Sequence, residues 1–193
     1  MAKGPLGNNW EHYNGIIGVK IQKKDRPKIE TIIELLVSDP VLKGNLNEIV
    51  ELLKENGAKP SWFTTSHYKF KHSKEISFQI KLGDGFKFRE NEIYITIHTA
   101  KPQKINRFKQ LLPNKLSDLI PTDSAKWHVC KDSNPCKNRA DFVYEGKQYN
   151  NICAKNIEVN FPIDSNSTNH TEQFQTIQDL IRAKIKYNNA TST

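Results

Sequence analysis

The residues with the greatest capacity for chemistry lie close together in the segment "WHVCKDSNPC", which spans residues 127–136. It contains His128, Cys130 and Cys136, and the third cysteine of the chain, Cys153, ends the segment "GKQYNNIC". Side chains two positions apart on a strand point the same way, so His128 and Cys130 can face one point, to which a polar loop can return Cys136. Three thiolates and one imidazole form a recognised structural zinc shell. The pattern H-x-C-x5-C-x16-C therefore predicts a structural Zn2+ site at these four residues.

Two other interpretations of these residues stay open. Cysteine is among the most frequently buried residue types, so the three thiols can simply be packed in the core. Alternatively, one thiolate can act as a nucleophile with a histidine as its base. We expect no disulfide, because three cysteines cannot all pair and a reducing compartment keeps thiols reduced.

Length and composition indicate a small globular protein that binds something anionic. The chain has 193 residues, 36% of them apolar and 26% charged, which suits a single domain with a real core. No apolar run is long enough to cross a bilayer, and the N-terminus lacks the pattern of a signal peptide, so we expect a cytoplasmic protein with no membrane partner. The formal net charge of +8 favours an anionic partner, and nucleic acid is one candidate.

Hydrophobic periodicity divides the chain into helices and strands. Helical spacing predicts helices over 28–37, over 46–56 with Asn45 as N-cap and Gly57 as its stop, around "QKINRFKQLL", and over 171–187 with Thr171 as cap. Alternation of period two predicts strands over 67–72, 75–82, 86–90 and 92–99, and a hairpin in "ADFVYEGKQYNNI". We therefore predict an α+β fold in which an antiparallel sheet, a four-strand meander plus a C-terminal hairpin, packs against helices.

The same pattern predicts the organisation of the chain. We expect an N-terminal extension at 1–27, a single α+β domain at 28–187 that contains the Cys/His loop and hairpin at 127–153, and a disordered tail at 188–193. Apolar positions of the strands fall on one face, which the helices must cover. These positions are Tyr68, Phe70, Ile76, Phe78, Ile80, Leu82, Phe86, Phe88, Ile93, Ile95 and Ile97.

The opposite face of the predicted sheet is polar and basic. It carries Ser77, Gln79, Thr96 and His98 as well as candidate nucleic-acid contacts. Those candidates are Lys69, Lys71, Lys81, Lys87, Arg89 and Tyr94. Basic residues could meet phosphates, but proteins that bind single strands also present several aromatic rings for stacking, and this face offers mainly a tyrosine and a histidine. An ordinary solvated face is the competing interpretation.

A metal-dependent nuclease is a further alternative. Asp132, Glu145 and Lys147 imitate a D…E-x-K pattern, in which carboxylates hold Mg2+ beside a lysine. However, a hairpin turn explains "EGK" equally well. Phosphate-binding loops and common hydrolase motifs are missing from the sequence.

Three segments carry a resemblance to a known group of proteins. These are "KPSWFTTSHYKFKHSKEISFQIKLGDGFKF", "CKDSNPC" and "GKQYNNIC". Together they resemble a family of uncharacterised bacterial proteins from low-GC Gram-positive organisms, in which a Cys-rich loop leads into a Gly-Lys-aromatic-x-Asn-aliphatic-Cys hairpin and a final basic helix. The resemblance spans about residues 50–187. The loop of that family usually has one more cysteine, where this chain has Ser133, and His128 is the natural substitute.

The resemblance supports the zinc interpretation and implies no activity. We therefore expect a non-enzymatic binding or regulatory protein with a structural zinc site, whose partner is a protein or a small molecule. A basic nucleic-acid-binding protein that uses the outer sheet face is the alternative, and a metal-dependent nuclease is the less favoured one.

Overall fold

A computed structural model describes residues 28–64, 66–83, 88–120, 139–153, 155–164 and 170–191. The helices are α1 (Ile29–Leu36), α2 (Pro40–Glu55), a 3-10 turn (Pro102–Lys104), α3 (Ile105–Lys109), α4 (Asn114–Ser117) and α5 (His170–Thr191). The strands are β1 (Lys59–Thr64), β2 (His67–His72), β3 (Glu75–Gly83), β4 (Phe88–His98), β5 (Arg139–Tyr144), β6 (Lys147–Cys153) and β7 (Glu158–Ile163).

The strands form an antiparallel sheet of order β1-β2-β3-β4-β7 and a separate β5–β6 hairpin. Strands β1 to β4 are a meander, and β7 joins the far edge beside β4. Helices α1, α2 and α5 pack together and against the sheet. The predicted α+β class, with an antiparallel meander and a C-terminal hairpin against helices, is confirmed.

The core lies between one face of the sheet and the helices. Apolar residues at helical spacing in α1 and α2 are fully or almost fully buried, as are the alternate apolar residues of β2, β3 and β4. The helical members are Ile29, Ile32, Ile33, Leu36, Leu42, Leu46, Ile49, Val50 and Leu53. Burial of each such side chain contributes about 1.5–3 kcal/mol, so this layer determines which face of the sheet stays outside.

Helix α2 begins earlier than predicted. Its N-cap is Asp39, whose carboxylate accepts a hydrogen bond from the Leu42 amide at 2.6 Å, and Pro40 occupies the first turn. Proline suits that position because the first amides of a helix have no intrahelical partner. The predicted cap at Asn45 is therefore wrong, since this residue lies inside the helix, whereas Gly57, with φ of +78°, confirms the predicted stop.

The number of strands differs from the prediction, because two predicted strands are one and two further strands are present. The predicted strands at 86–90 and 92–99 are parts of the single strand β4, which runs from Phe88 to His98 with an irregular register near its start. Two strands that were not predicted, β1 and β7, are the two edges of the sheet. Each contains a proline, Pro60 or Pro162, which is tolerated at edges because a proline cannot donate to a neighbouring strand.

A β-bulge reverses two of the predicted positions in β3. Phe70 pairs with Phe78 but Lys71 pairs with Ile76, so Ser77 is an extra residue. The extra residue shifts the alternation, and Ser77 is buried while Ile76 is exposed. The prediction that placed Ile76 on the covered face and Ser77 on the opposite one is therefore wrong.

Helix α5 begins at His170, so Thr171 lies in its first turn instead of capping it. It runs to Thr191, so residues 188–191 are helical, contrary to the predicted tail at 188–193. The extension at 1–27, Phe86, Lys87 and the loop at 121–138 lie outside the described residues. In the part of the chain that is described, no helix is both long and apolar enough to span a membrane.

Candidate nucleic-acid interface

The face of the sheet opposite the core, which we call the outer face, is organised in cross-strand rows. One row runs through His67, Lys81, Tyr94 and Pro162 of β2, β3, β4 and β7. The next runs through Ser61, Lys69, Gln79, Thr96 and Asn160 of all five strands. Directly opposed residues share a face, so these side chains form one polar surface.

Four lysines concentrate positive charge on the first three strands of the outer face. They are Lys59, Lys69, Lys71 and Lys81. Lys59 and Lys71 are exposed and directly opposite each other. Repulsion between two like charges in this position is destabilising. Among the described residues, no carboxylate forms an ion pair with any of the four. This side of the face is therefore a basic surface, on which Glu158 attracts Lys69 from beyond ion-pair distance.

An exposed aromatic ring, which was not predicted, lies at the β1 edge of that surface. The register of β1 shifts between Trp62 and Thr64, which leaves Phe63 as an extra residue. Its ring lies 3.3 Å from the Lys69 ammonium and in an edge contact, 5.2 Å between centroids, with the His67 ring. These contacts hold the ring on the outer face, although 55% of it is exposed. Phe63 lies two residues after Ser61, so alternation within β1 places it on the outer face, and it was missed because β1 was not predicted as a strand.

Tyr94 supplies a second exposed ring on the same face. It is 39% exposed and lies between Lys81 and Pro162 in its row. Neighbouring strands are roughly 4.8 Å apart, so Phe63 on β1 and Tyr94 on β4 are about 14 Å apart. Lys69 and Lys81 lie on the two strands between them. The face thus presents two stacking surfaces separated by positive charge.

A chain of hydrogen bonds crosses the centre of the outer face. Gln79 accepts from His67 Nε2 at 2.6 Å and donates to His98 Nε2, while His98 Nδ1 lies 3.4 Å from a carboxylate oxygen of Glu158. This direction requires His98 to be neutral, with its proton on Nδ1, because its Nε2 accepts a hydrogen bond. His67 donates from Nε2, which it can do in either protonation state. Burial lowers the pKa of His67 to about 4, reinforced by Lys81 and Lys69 and opposed by the Gln79 hydrogen bond. Burial also lowers the pKa of His98, which Glu158 partly offsets.

The other predicted nucleic-acid residues do not all join this surface. Lys69, Lys71, Lys81 and Tyr94 lie on the outer face as predicted. Arg89 lies in the irregular start of β4 and forms a 2.6 Å ion pair with Glu92, which compensates its charge. Lys87 lies outside the described residues.

The residues of the nuclease pattern have a structural role in the described hairpin. Glu145 and Gly146 are its two turn residues, with φ of +49° and +76°. Positive φ at both positions is the geometry of a tight type I′ hairpin turn. Lys147 then opens β6, and Asp132 lies outside the described residues.

The predicted zinc site falls mainly on residues that the structure does not describe. His128, Cys130 and Cys136 belong to that part of the chain. Cys153 is half-buried at the end of β6, opposite Arg139 in the hairpin register. Within the described residues, no three His, Cys, Asp or Glu side chains are grouped so that they could hold a metal ion.

Comparison of the chain with protein-family models, with curated proteins and with solved structures gave no match. The functional argument therefore depends on the geometry of the chain itself.

Proposed function

We propose that this protein is a non-enzymatic binding protein whose outer face binds single-stranded nucleic acid. The observation that carries the proposal is the joint placement of Phe63 and Tyr94, both exposed, on either side of the strands that carry Lys69 and Lys81. Stacking of a base on an aromatic ring contributes about 1–3 kcal/mol and tolerates any sequence. Lysines between the rings would neutralise the phosphates that join the stacked bases.

The shape of the face favours a single strand over a duplex. Bases in a duplex are stacked on one another and offer only their edges in the grooves, so they cannot lie on an aromatic ring. A sheet surface with two separated rings matches bases that are already unstacked. An acidic protein partner would use the lysines but would gain little from rings spaced in this way.

Fluorescence anisotropy with a labelled single-stranded oligonucleotide tests the electrostatic half of the proposal. The double variant Lys59→Gln/Lys71→Gln should bind more weakly and should show a shallower dependence on salt, by about 0.7 in the logarithmic slope for each phosphate that it no longer neutralises. The double variant Lys115→Gln/Lys186→Gln removes two exposed lysines from α4 and α5 and is the matched control. Equal loss of affinity in the two doubles would contradict a specific surface.

The aromatic half needs its own variants. Phe63→Ala and Tyr94→Ala should each weaken binding by about 1–3 kcal/mol at constant salt, because each removes one stacking ring. Val143→Ala is the control, since this side chain is 63% exposed but lies on the β5–β6 hairpin. Unchanged affinity in both aromatic variants would leave only non-specific charge attraction and overturn the proposal.

The zinc site is a second, separate proposal. We infer that His128, Cys130, Cys136 and Cys153 bind one structural Zn2+. The inference is supported by the ligand chemistry of the sequence and by the position of Cys153 at the base of the hairpin. A closed shell of four protein ligands would tie the 128–136 segment to that hairpin and would not take part in a reaction.

A further inference from the structure

A polar cavity of about 290 Å³ lies at one end of the main sheet, away from the rows of the outer face. Four parts of the chain meet there: the β2–β3 turn, the segment around the 3-10 turn after β4, the residues just before β7, and the last turns of α5. Its principal lining residues are Lys74, Glu75, Lys101, Lys104, Asn156 and Tyr187. Each of these six side chains can form hydrogen bonds.

The floor of the cavity is fixed by a buried ion pair. The Lys184 ammonium is fully buried and donates to the Thr99 carbonyl at 2.5 Å and to Glu75 at 3.1 Å. The other carboxylate oxygen of Glu75 accepts from the Asn156 amide at 3.1 Å. Burial opposes ionisation of Glu75, but the attraction of Lys184 outweighs it and holds the pKa of this carboxyl below its ordinary value. Glu75 is the one carboxylate among the lining residues, and its negative charge is therefore already balanced by Lys184.

The rim of the cavity is basic, and of its lysines Lys101 is close enough to Glu75 to help lower the pKa of that carboxyl. Lys74, Lys101 and Lys104 are exposed, and none of them forms an ion pair with another residue that the structure describes. Three ammonium groups around one opening repel each other, and a bound anion would relieve that repulsion. Lysine is a common phosphate ligand that acts as a point charge.

The opposite wall favours hydrogen-bond donors instead. It consists of the last turns of α5, where helix carbonyls give partial negative charge and where the Ala190 carbonyl accepts a hydrogen bond from Arg107 at 3.3 Å. Asn188 is anchored there by hydrogen bonds to His72 and Ser77, both near 3 Å, and the Thr191 hydroxyl donates to the Tyr187 and Asn188 carbonyls. A ligand that carried negative charge at both ends would meet repulsion on this side.

From this division of charge we infer that the cavity binds a phosphorylated, hydroxyl-rich small molecule of the sugar phosphate class. The phosphate group lies among Lys74, Lys101 and Lys104, and the hydroxyl groups of the ligand donate towards Glu75 and the end of α5. The site is distinct from the outer face and shares none of its lysines, so the two binding activities can be tested independently.

Titration calorimetry with three probes tests the ligand class. Ribose 5-phosphate should bind with a dissociation constant below about 1 mM. Inorganic phosphate should bind at least several-fold more weakly, and ribose should show no heat in the same range. If inorganic phosphate binds as tightly as ribose 5-phosphate, the hydroxyl contacts do not exist and the inference fails. Absence of binding by all three probes overturns it as well.

Variants then locate the site. Lys101→Gln/Lys104→Gln should weaken ribose 5-phosphate binding by about tenfold or more, since each change removes a charge from the rim. Lys115→Gln/Lys186→Gln removes the same charge elsewhere and should leave that affinity unchanged. All four lysines are exposed, so both proteins should fold, which thermal melts would check. An equal effect of the two doubles would show attraction to the overall charge and would contradict a site in the cavity.

Discussion

Lys59 on β1 and Lys71 on β2 are directly opposed in an antiparallel register, on the same face of the sheet. Two like charges in that relation reduce the stability of the fold. Natural sheets more often place opposite charges there, because a cross-strand ion pair contributes modestly to stability. The nucleic-acid surface proposed above would account for positive charge at this position, and lysine also discourages edge-to-edge pairing at the β1 edge.

This relation predicts opposite effects of one substitution on stability and on binding. Lys71→Glu should raise the free energy of unfolding by about 0.5 kcal/mol, because it replaces a repulsive pair with an attractive one. The same change should weaken binding of single-stranded oligonucleotide more than Lys71→Gln does. Urea unfolding and anisotropy measure the two quantities. A destabilised Lys71→Glu variant would contradict the cross-strand account.

The neutral histidines of the outer face predict acid sensitivity. The folded-state pKa of His67 lies near 4, below the ordinary 6.5, so the unfolded chain binds a proton first as the pH falls. Stability should therefore decrease between pH 7 and pH 4, and at pH 5 the loss from His67 alone is at most about 2 kcal/mol. Burial also lowers the pKa of His72 and of His98, so these residues add to the loss in the same direction.

Urea unfolding at pH 7 and pH 5 measures that loss. His67→Gln keeps a polar side chain beside Gln79 but cannot titrate, so its stability should change less between the two pH values. If stability changes as much between pH 7 and pH 5 in His67→Gln as in the unchanged protein, the loss of stability is not due to His67. Titration of the His67 ring by NMR gives the pKa directly.

The buried pair beneath the cavity predicts an asymmetric response to substitution. Lys184 is fully buried, whereas the Glu75 side chain is 44% exposed. Glu75→Ala leaves a buried ammonium without its counter-charge and should lower the free energy of unfolding by about 3 kcal/mol. Lys184→Met leaves a carboxylate that water can reach and a carbonyl without its donor, and should cost only about 1–2 kcal/mol. Thermal or urea unfolding distinguishes these values, and the reverse order would refute the argument.

The zinc proposal predicts one metal ion per chain in protein purified without added zinc. Cys153→Ser should lower the zinc content, whereas His128→Ala should lower it less, because Asp132 or a water can complete a shell of three thiolates. Removal of the metal should loosen the 139–153 hairpin while the main sheet survives, which hydrogen exchange would detect. Sub-stoichiometric metal together with three titratable thiols in the native protein would exclude the site.

Periodicity was sufficient to predict the regular parts of the fold. Strand β2 has the predicted bounds, β3 is one residue longer, and the hairpin turn lies at Gly146 as expected. These elements follow from side chains that alternate between core and solvent, which is a local property of the sequence. The outer-face positions of Lys69, Lys81 and Tyr94 followed from the same alternation.

What was not predicted from the sequence has two kinds of cause. Ser77 can be buried in its bulge because the Asn188 amide, 111 positions away, donates to its hydroxyl, which is a contact between distant residues. Phe63 was missed because β1 was not predicted as a strand, although within β1 it shares the face of Lys59 and Ser61 by simple alternation. Asp39 was missed although Pro40 directly after it is a local signal for the start of a helix.

Helix α5 follows the seven strands that the structure describes, yet it forms part of the layer that covers the sheet. A ribosome adds roughly 5–20 residues per second, so the time from completion of β4 to completion of α5 is on the order of 5–20 s. During that interval α1 and α2 can shield only their own part of the apolar face. The nascent sheet thus presents uncovered hydrophobic surface until late in synthesis. We therefore expect chaperones that act near the ribosome to bind it. Synthesis and aggregation are both slower at a lower temperature. Expression at a lower temperature should therefore change the soluble yield, although the final fold stays the same.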